Sequence, residues 1–144
     1  MLILHEILHF VTYILLFLIV YAIQKNKMNL TNFITGLIAT IFLDLDHLID
    51  YFLHNGIRFS LSEFLTGQNF MESGKAYVIF HGWEFVLIII VAYILIKKQN
   101  TKNFLLSIII GLTAHLFFDS VANGMGRYFY FISYRIATSF VLYN

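Results

Sequence analysis

Residues 103–122 read NFLLSIIIGLTAHLFFDSVA, a run that is apolar over most of its length. A helix needs about 20 mainly apolar residues to cross the hydrocarbon core of a membrane. Two ionisable side chains, His115 and Asp119, nevertheless lie inside this run, four positions apart and therefore on one face of the helix. Ionisable groups inside a membrane helix cost free energy and usually mark function. The stretch therefore predicts a membrane helix with a polar site in it.

The composition of the whole chain agrees with an integral membrane protein. Of its 144 residues, 60% are apolar and only 12% are charged, far from the usage of ordinary soluble domains. We expect a single domain, residues 1–144. The net charge of +1 gives no reason to expect nucleic acid as a partner. The chain has no cysteine, so any metal would be bound by histidine and carboxylate side chains.

Further apolar segments have the length of a membrane helix, namely 2–24, 30–54 and 76–96. With 103–122 they predict an all-α fold, an integral membrane bundle of four to five transmembrane helices. The tail, 126–144, is either a fifth span or a helix at the interface, because Arg135 lies in its middle. The first segment has no basic residue before it and no small-residue cleavage site after it. We therefore expect a retained helix and not a signal peptide.

The distribution of Lys and Arg predicts how the bundle is inserted. The loops after the first and third segments lie on one side and hold most of the lysines: Lys25, Lys27, Lys97, Lys98 and Lys102. The opposite side has Arg58, Lys75 and Arg127. Because cytoplasmic loops carry the excess of basic residues, we expect the amino terminus and the long loop, 55–75, to face away from the cytoplasm. In a prokaryotic cytoplasmic (inner) membrane, a site at that end would face outward.

Acidic residues and histidines are concentrated in the apolar segments, whereas Lys and Arg are not. All six histidines fall inside or at the end of these segments, together with most of the eight acidic residues: Glu6, Asp44, Asp46, Asp50, Glu84 and Asp119. A proton path or a network of ion pairs would normally include buried Lys or Arg. Histidine and carboxylate without cations are the ligand set of a metal site.

The spacing places these residues on shared helix faces and at one depth. Residues 5–9, HEILH, match H-E-x-x-H, in which His5 and His9 share a face and Glu6 can accept a proton from an attacking water. The polar residues come early in the first and third segments and late in the second and fourth. Since the helices alternate in direction, most of these residues lie roughly 5–15 Å below one surface. Four helices are therefore predicted to bring ligands to the same level.

Three of these motifs resemble those of a known family. LDLDHLID (43–50), HGWE (81–84) and GLTAHLFFDSVANG (111–124) are similar to elements of the membrane-bound metal-dependent hydrolases of the YdjM family. The resemblance implies a hydrolase with a fold similar to zinc-dependent phospholipase C. It also implies metal ligands at the matching positions: His5 or His9, Asp44, Asp46, His47, His81, His115 and Asp119.

The chain departs from the family pattern at two positions. Leu43 stands where the family usually has proline, and Gly82 stands where many members have arginine. Without that arginine, contact with the substrate would fall to Arg127 or Arg135.

Together, the residues and the resemblance predict a small membrane hydrolase with two or more divalent ions, zinc first and Mn or Mg as alternatives. A carboxylate left free of metal, Glu6 or Glu84, would be the general base. The expected partner is a membrane lipid that carries a phosphoester, either a phospholipid or a polyprenyl phosphate. The complete set of predicted metal ligands is His5, His9, Asp44, Asp46, His47, Asp50, His81, His115 and Asp119.

Two alternatives stay open on the sequence. An intramembrane metalloprotease would use HEILH and one distant Asp, and would leave the other polar clusters without a role. A non-catalytic metal carrier should show polar residues that continue to the opposite side of the membrane. The cytoplasmic halves of the first, third and fourth segments are instead almost wholly apolar, which argues against a carrier.

Overall fold

The computed structural model describes residues 2–25, 27–67, 72–126 and 128–142, apart from the side chains of residues 2 and 3. The predicted all-α bundle is confirmed, since these residues are mostly helical and include no β-strand. The helices are α1 Leu2–Ile23, α2 Leu30–Leu43, α3 Leu45–Asn55, α4 Leu61–Thr66, α5 Trp83–Leu95, α6 Gln99–Ala122 and α7 Ile132–Ala137.

Three helical segments of the described chain are long and apolar enough to cross a membrane, namely Leu4–Ile23, Leu30–Asn55 and Gln99–Ala122. The helix α5 is also apolar but has only 13 residues. Large apolar side chains such as Leu15 and Ile88 are exposed on the outside of the bundle, where a lipid environment would cover them. The helix α6 packs against α1, α2 and α5 and is therefore central to the bundle.

A close crossing of α2 and α6 fixes the distance between two predicted site residues. A Cβ atom added to Gly36 would lie 2.7 Å from the backbone oxygen of Ser107, so only glycine allows the helices to approach this closely. The hydroxyl of Thr40 bridges them, since it donates to the carbonyl of Gly36 at 2.9 Å and to that of Gly111 at 3.3 Å. Thr40 and Gly111 each precede a site residue, Asp44 and His115, by one helical turn. The crossing therefore holds these two side chains opposite each other.

The second predicted span is interrupted at Asp44. Its backbone N–H donates to the carbonyl of Ile41 at 3.1 Å, one residue short of the α-helical partner. The chain then continues as α3, and the whole segment Leu30–Asn55 still has the length and apolarity of a single span. The tightened turn changes the angular relation between Asp44 and the polar residues that follow it.

The third predicted span begins later than expected. The sequence predicts a helix from residue 76, but α5 begins only at Trp83, and residues 76–82 are not helical. Backbone groups in such a segment need partners outside a helix. Carboxylates of α3 provide two of these partners: Asp50 accepts from the N–H of Tyr77 at 2.9 Å, and Asp46 accepts from the N–H of Phe80 at 2.7 Å.

The tail does not form a fifth span within residues 128–142. Its helix, α7, has six residues, and Arg135 on it is 1% exposed. The guanidinium of Arg135 donates to the carbonyls of Tyr77, Val78 and His81. The tail therefore supports the irregular segment 76–82 from the side opposite to α3.

Candidate metal centre

The structure brings predicted ligands from four parts of the chain to one end of the bundle. Their nitrogen and oxygen atoms form overlapping groups in which all atoms lie within 4.8 Å of one another. The contributing parts are the start of α1, the junction of α2 and α3, the segment before α5 and the end of α6. We call the seven residues of these groups the His/Asp cluster: His5, His9, Asp44, His47, His81, His115 and Asp119.

Asp119 lies at the centre of the His/Asp cluster and faces histidines with both carboxylate oxygens. Its Oδ1 is 3.0 Å from Nε2 of His5 and 3.3 Å from Nε2 of His9. Its Oδ2 is 3.3 Å from Nε2 of His115 and 3.7 Å from Nε2 of His81. One carboxylate therefore stands between two pairs of imidazole nitrogens.

Asp44 is the second carboxylate of the cluster. Its Oδ1 lies 3.5 Å from Nε2 of His115 and 3.7 Å from Nε2 of His47. The same oxygen is 3.9 Å from Nε2 of His81. Asp44 thus contacts the same His81 and His115 pair as Asp119, and it also contacts His47.

These separations fit the coordination shell of a small divalent ion. Ligands about 2.0–2.1 Å from a tetrahedral zinc ion lie about 3.3 Å from one another. The Nε2 atoms of His81 and His115 are 3.1 Å apart. The distances from the carboxylate oxygens to the imidazole nitrogens given above lie on both sides of about 3.3 Å. The donors are imidazole nitrogen and carboxylate oxygen, the set that zinc accepts. The residues present therefore fit two neighbouring ions that share Asp119.

Asp46 stands behind a ligand and does not face the other ligand atoms. Its Oδ1 is 2.9 Å from Nδ1 of His81, although neither atom has a hydrogen-bond partner among the described residues, so the two groups are in close contact without an aligned hydrogen bond. A carboxylate next to the outer nitrogen of a metal-binding imidazole is a recurring feature of metal sites. Asp50 is also outside the His/Asp cluster, because its carboxylate accepts from the backbone of Tyr77. The structure thus places both predicted ligands in supporting positions.

The imidazoles of His9 and His115 are stacked face to face. Their centroids are 3.9 Å apart and their planes differ by 6°. The Nδ1 atoms of both rings have no hydrogen-bond partner among the described residues, so ring contacts set their orientation. The ring centroid of Phe118 lies 4.8 Å from that of His9 and 5.1 Å from that of His5. Two stacked cations would repel each other, whereas neutral imidazoles that bind metal through Nε2 can stack.

The two predicted general bases lie in different surroundings. Glu6 is partly exposed, and its carboxyl group lies beside that of Asp44 at the cluster. Glu84 is turned to the tail, where its carboxylate accepts from the N–H of Ile132 at 3.0 Å and from the N–H and hydroxyl of Ser133. Glu84 therefore caps the start of α7, and Glu6 is the carboxylate in position to serve the cluster.

Of the two arginines predicted to contact the substrate, only Arg135 lies in the part of the chain that the structure describes. Arg135 is buried, and its donors are directed to backbone carbonyls, as described above. Arg127 lies outside the described residues. Substrate contact by these arginines therefore stays a prediction for Arg127, and the geometry gives Arg135 a supporting role.

Asn123 and Tyr130 belong to the site and were missed from the sequence. The amide of Asn123 donates to Oδ1 of Asp119 at 3.2 Å and to the hydroxyl of Tyr130 at 3.0 Å. The Tyr130 hydroxyl in turn donates to the carbonyl of Asp119 at 3.1 Å. Burial, followed by the nearby charge of Asp119, raises the pKa of Tyr130, so the hydroxyl keeps its proton. Asn123 follows Asp119 by four positions, a spacing that could have revealed it.

A small cavity opens beside the cluster. Its volume is about 60 Å³, and its lining includes His47, His81, Asp119, Asn123 and Tyr130. A cavity of this size with several polar walls has room for a few water molecules. The attacking water of a hydrolysis reaction would therefore have a place next to the facing ligand atoms.

Comparisons with family models, curated proteins and solved structures find nothing that matches this chain. The similarity to the YdjM family therefore rests on the motif residues quoted above, and the function must be argued from the geometry of the site.

Proposed function

We propose that the protein is a metal-dependent hydrolase that cleaves a phosphoester of a membrane lipid. The observation that carries this proposal is the position of Asp119 between two pairs of histidines. A carboxylate that offers one oxygen to each of two ions suits a two-metal site, in which the ions lie about 3.5–4 Å apart. Zinc is the proposed metal because five of the seven facing ligands are imidazoles.

The charge of the site favours an anionic substrate. Asp44 and Asp119 form ion pairs only with histidines, and no Lys or Arg of the described chain pairs with either of them. Two divalent ions carry +4, whereas Asp44 and Asp119, the carboxylates among the facing atoms, carry −2, so the ligand shell itself would present positive charge to the substrate, with Glu6 and Asp46 outside that shell. When bound, the ions would clamp the phosphoryl group and lower the pKa of the attacking water.

The residues of this chain would then handle protons and alignment. The water oxygen bonds to phosphorus, the bond from phosphorus to the ester oxygen breaks, and the proton of the water moves to the carboxylate of Glu6. The same proton can return to the leaving oxygen. Asp46, whose Oδ1 lies 2.9 Å from Nδ1 of His81, would favour the tautomer with its proton on Nδ1 by its negative charge, while Asn123 and Tyr130 hold Asp119. This division of roles agrees with the class implied by the YdjM-like motifs.

The test of this proposal is hydrolysis by the purified protein in detergent. We expect release of a phosphorylated head group from long-chain phospholipid, or of inorganic phosphate from polyprenyl phosphate. Chelation should abolish the release, and added Zn²⁺ should restore it. A metal-loaded protein that leaves every lipid phosphoester intact would contradict the proposal.

We further propose that the cluster faces the outer side of a prokaryotic cytoplasmic membrane. The lysine-rich loops lie at the opposite end of the bundle, which is the cytoplasmic end by the distribution of positive charge. The chain has no natural cysteine, so Ser73→Cys and Asn100→Cys give single labelling sites. In intact cells a membrane-impermeant maleimide should label the first variant and not the second. The reverse pattern would place the cluster on the cytoplasmic side.

A second candidate function, an intramembrane metalloprotease, is favoured by one specific observation. His5, His9 and Asp119 form a complete group of ligand atoms, and Glu6 lies between the two histidines in HEILH. This is the arrangement of an H-E-x-x-H site with one distant carboxylate. It leaves Asp44, His81 and His115 without a role, and for that reason the two-metal hydrolase is preferred.

A further inference from the structure

An apolar groove runs along the outside of the bundle between α2, α5 and α6. Its volume is about 480 Å³, within the range of binding sites for small molecules. Ile38 and Phe42 of α2 line it together with Ile89 of α5 and Ile108 of α6. Thr35 is the single lining residue with a polar side chain. The groove opens at the side of the bundle, toward the lipid that would cover the exposed apolar residues.

The length of the groove matches one leaflet of a bilayer. Its lining on α2 extends from Thr35 to Leu43, which is about 12 Å at 1.5 Å per residue. Half of a hydrocarbon core of about 30 Å is about 15 Å. The groove is therefore about as long as a single hydrocarbon chain in one leaflet.

Two residues that line the groove are direct neighbours of cluster residues along the chain. Leu43 and Phe80 both line it, and they immediately precede Asp44 and His81. The backbone N–H of Phe80 also donates to Asp46, the carboxylate beside His81. A molecule with its chain in the groove would therefore have its polar end near the part of the chain that carries Asp44 and His81.

We propose that this groove seats one hydrocarbon chain of the lipid whose phosphate is bound at the His/Asp cluster. The inference rests on the function proposed above and adds a binding site for the chain of the substrate. Affinity does not come from the hydrophobic effect, because lipid tails are as apolar as the groove. The concave wall instead limits the positions of the chain and so aligns the phosphoester with the ligands.

Filling the groove provides the first test. Ile38→Trp adds bulk at a groove position that is 58% exposed, and Ile19→Trp is a matched control on α1, outside the groove, at 57% exposure. For a long-chain lipid phosphoester we expect Ile38→Trp to lower kcat/KM by about ten- to a hundredfold through misplacement of the head group. Hydrolysis of the water-soluble bis(4-nitrophenyl) phosphate should be unchanged in both variants. Equal rates of Ile38→Trp and Ile19→Trp on the lipid would overturn the proposal, and so would an equal loss on both substrates.

Photochemical labelling tests the groove without any turnover. A phosphatidylglycerol with a diazirine in one chain is added to the unaltered protein in phosphatidylcholine nanodiscs, and labelled residues are mapped by mass spectrometry. We expect labelling at Phe42 in excess of that at the equally accessible Ile19, with competition by unlabelled phosphatidylglycerol. Uniform labelling of all exposed helices, or contact with a second copy of this chain at the groove, would reject the proposal. Selective labelling without hydrolysis would support the lipid site in the groove and contradict the proposed hydrolase. Hydrolysis with uniform labelling would support the hydrolase and contradict the lipid site.

Discussion

Asp119→Ala is expected to remove both metal ions, whereas loss of one histidine should remove only one. Its two carboxylate oxygens face different histidine pairs, so among the described residues Asp119 is the side chain that would serve both proposed ions. We expect the metal content, measured by mass spectrometry of the purified protein, to fall from about two ions per chain to almost none. Phosphoester hydrolysis should fall by at least about a thousandfold, as is typical when a central electrostatic element is lost.

Matched variants make this result specific. His5→Ala and His81→Ala should each leave about one ion per chain, because they belong to different sides of Asp119. Ser120→Ala is the control on the same helix, since the Ser120 hydroxyl donates only to the carbonyl of Leu116. Lys98→Ala, at the far end of the bundle, should also keep the metal. A full metal complement in Asp119→Ala would show that the His/Asp cluster is a set of hydrogen bonds and not a metal centre.

Glu6→Gln is expected to slow lipid phosphoester hydrolysis by about 10²–10⁴-fold while the metal stays bound. Glutamine keeps the size of the side chain but cannot take up the proton of the attacking water. Glu6 lies beside Asp44 without being a member of the metal-binding groups, so metal content should not change. The measurement is kcat with metal content determined on the same sample.

The same variant separates the two candidate functions. Glu63→Gln is the control, because the Glu63 carboxylate is bonded to the hydroxyl of Tyr51 and lies outside the His/Asp cluster. A transmembrane peptide should remain uncleaved by the metal-loaded protein. If such a peptide is cleaved in a Glu6-dependent way while lipid phosphoesters stay intact, the protease is the correct function. His81→Ala would then keep activity, since a protease site needs only the group around His5 and His9.

The sequence predicts the helices that are regular and misses the places where tertiary contacts replace helical hydrogen bonds. The predicted segments 2–24 and 103–122 differ from α1 and α6 by a few residues at most. The late start of α5 was not predictable from apolarity, because residues 76–80 are themselves mainly apolar. Their irregular backbone depends on carboxylates of α3 and on Arg135, which lie more than 25 residues away along the chain.

For the site, spacing within one helix indicated which residues lie together. Which residues of different helices contact each other could not be predicted from the sequence. The pairs His5/His9 and His115/Asp119 follow from helical periodicity, and their facing atoms lie together in the structure. The same periodicity places Asp46 and Asp50 on one helix face with Asp44 at its edge, yet in the structure both accept from backbone N–H groups of the segment before α5. Which carboxylate faces the cluster and which supports a ligand is decided by contacts between elements. No pattern within one helix contains that information.

The irregular backbone of residues 76–82 gives the site an adjustable member. Within an α-helix the spacing of residues along and around the axis is set by the helical repeat, about 1.5 Å and 100° per residue. His5, His9, His115 and Asp119 are constrained in this way. His81 is carried by a non-helical segment that contacts Asp46, Asp50 and Arg135. Small changes in those contacts would shift the His81 nitrogen without moving any helix of the bundle, so the proposed metal site would adapt to ions of different radius.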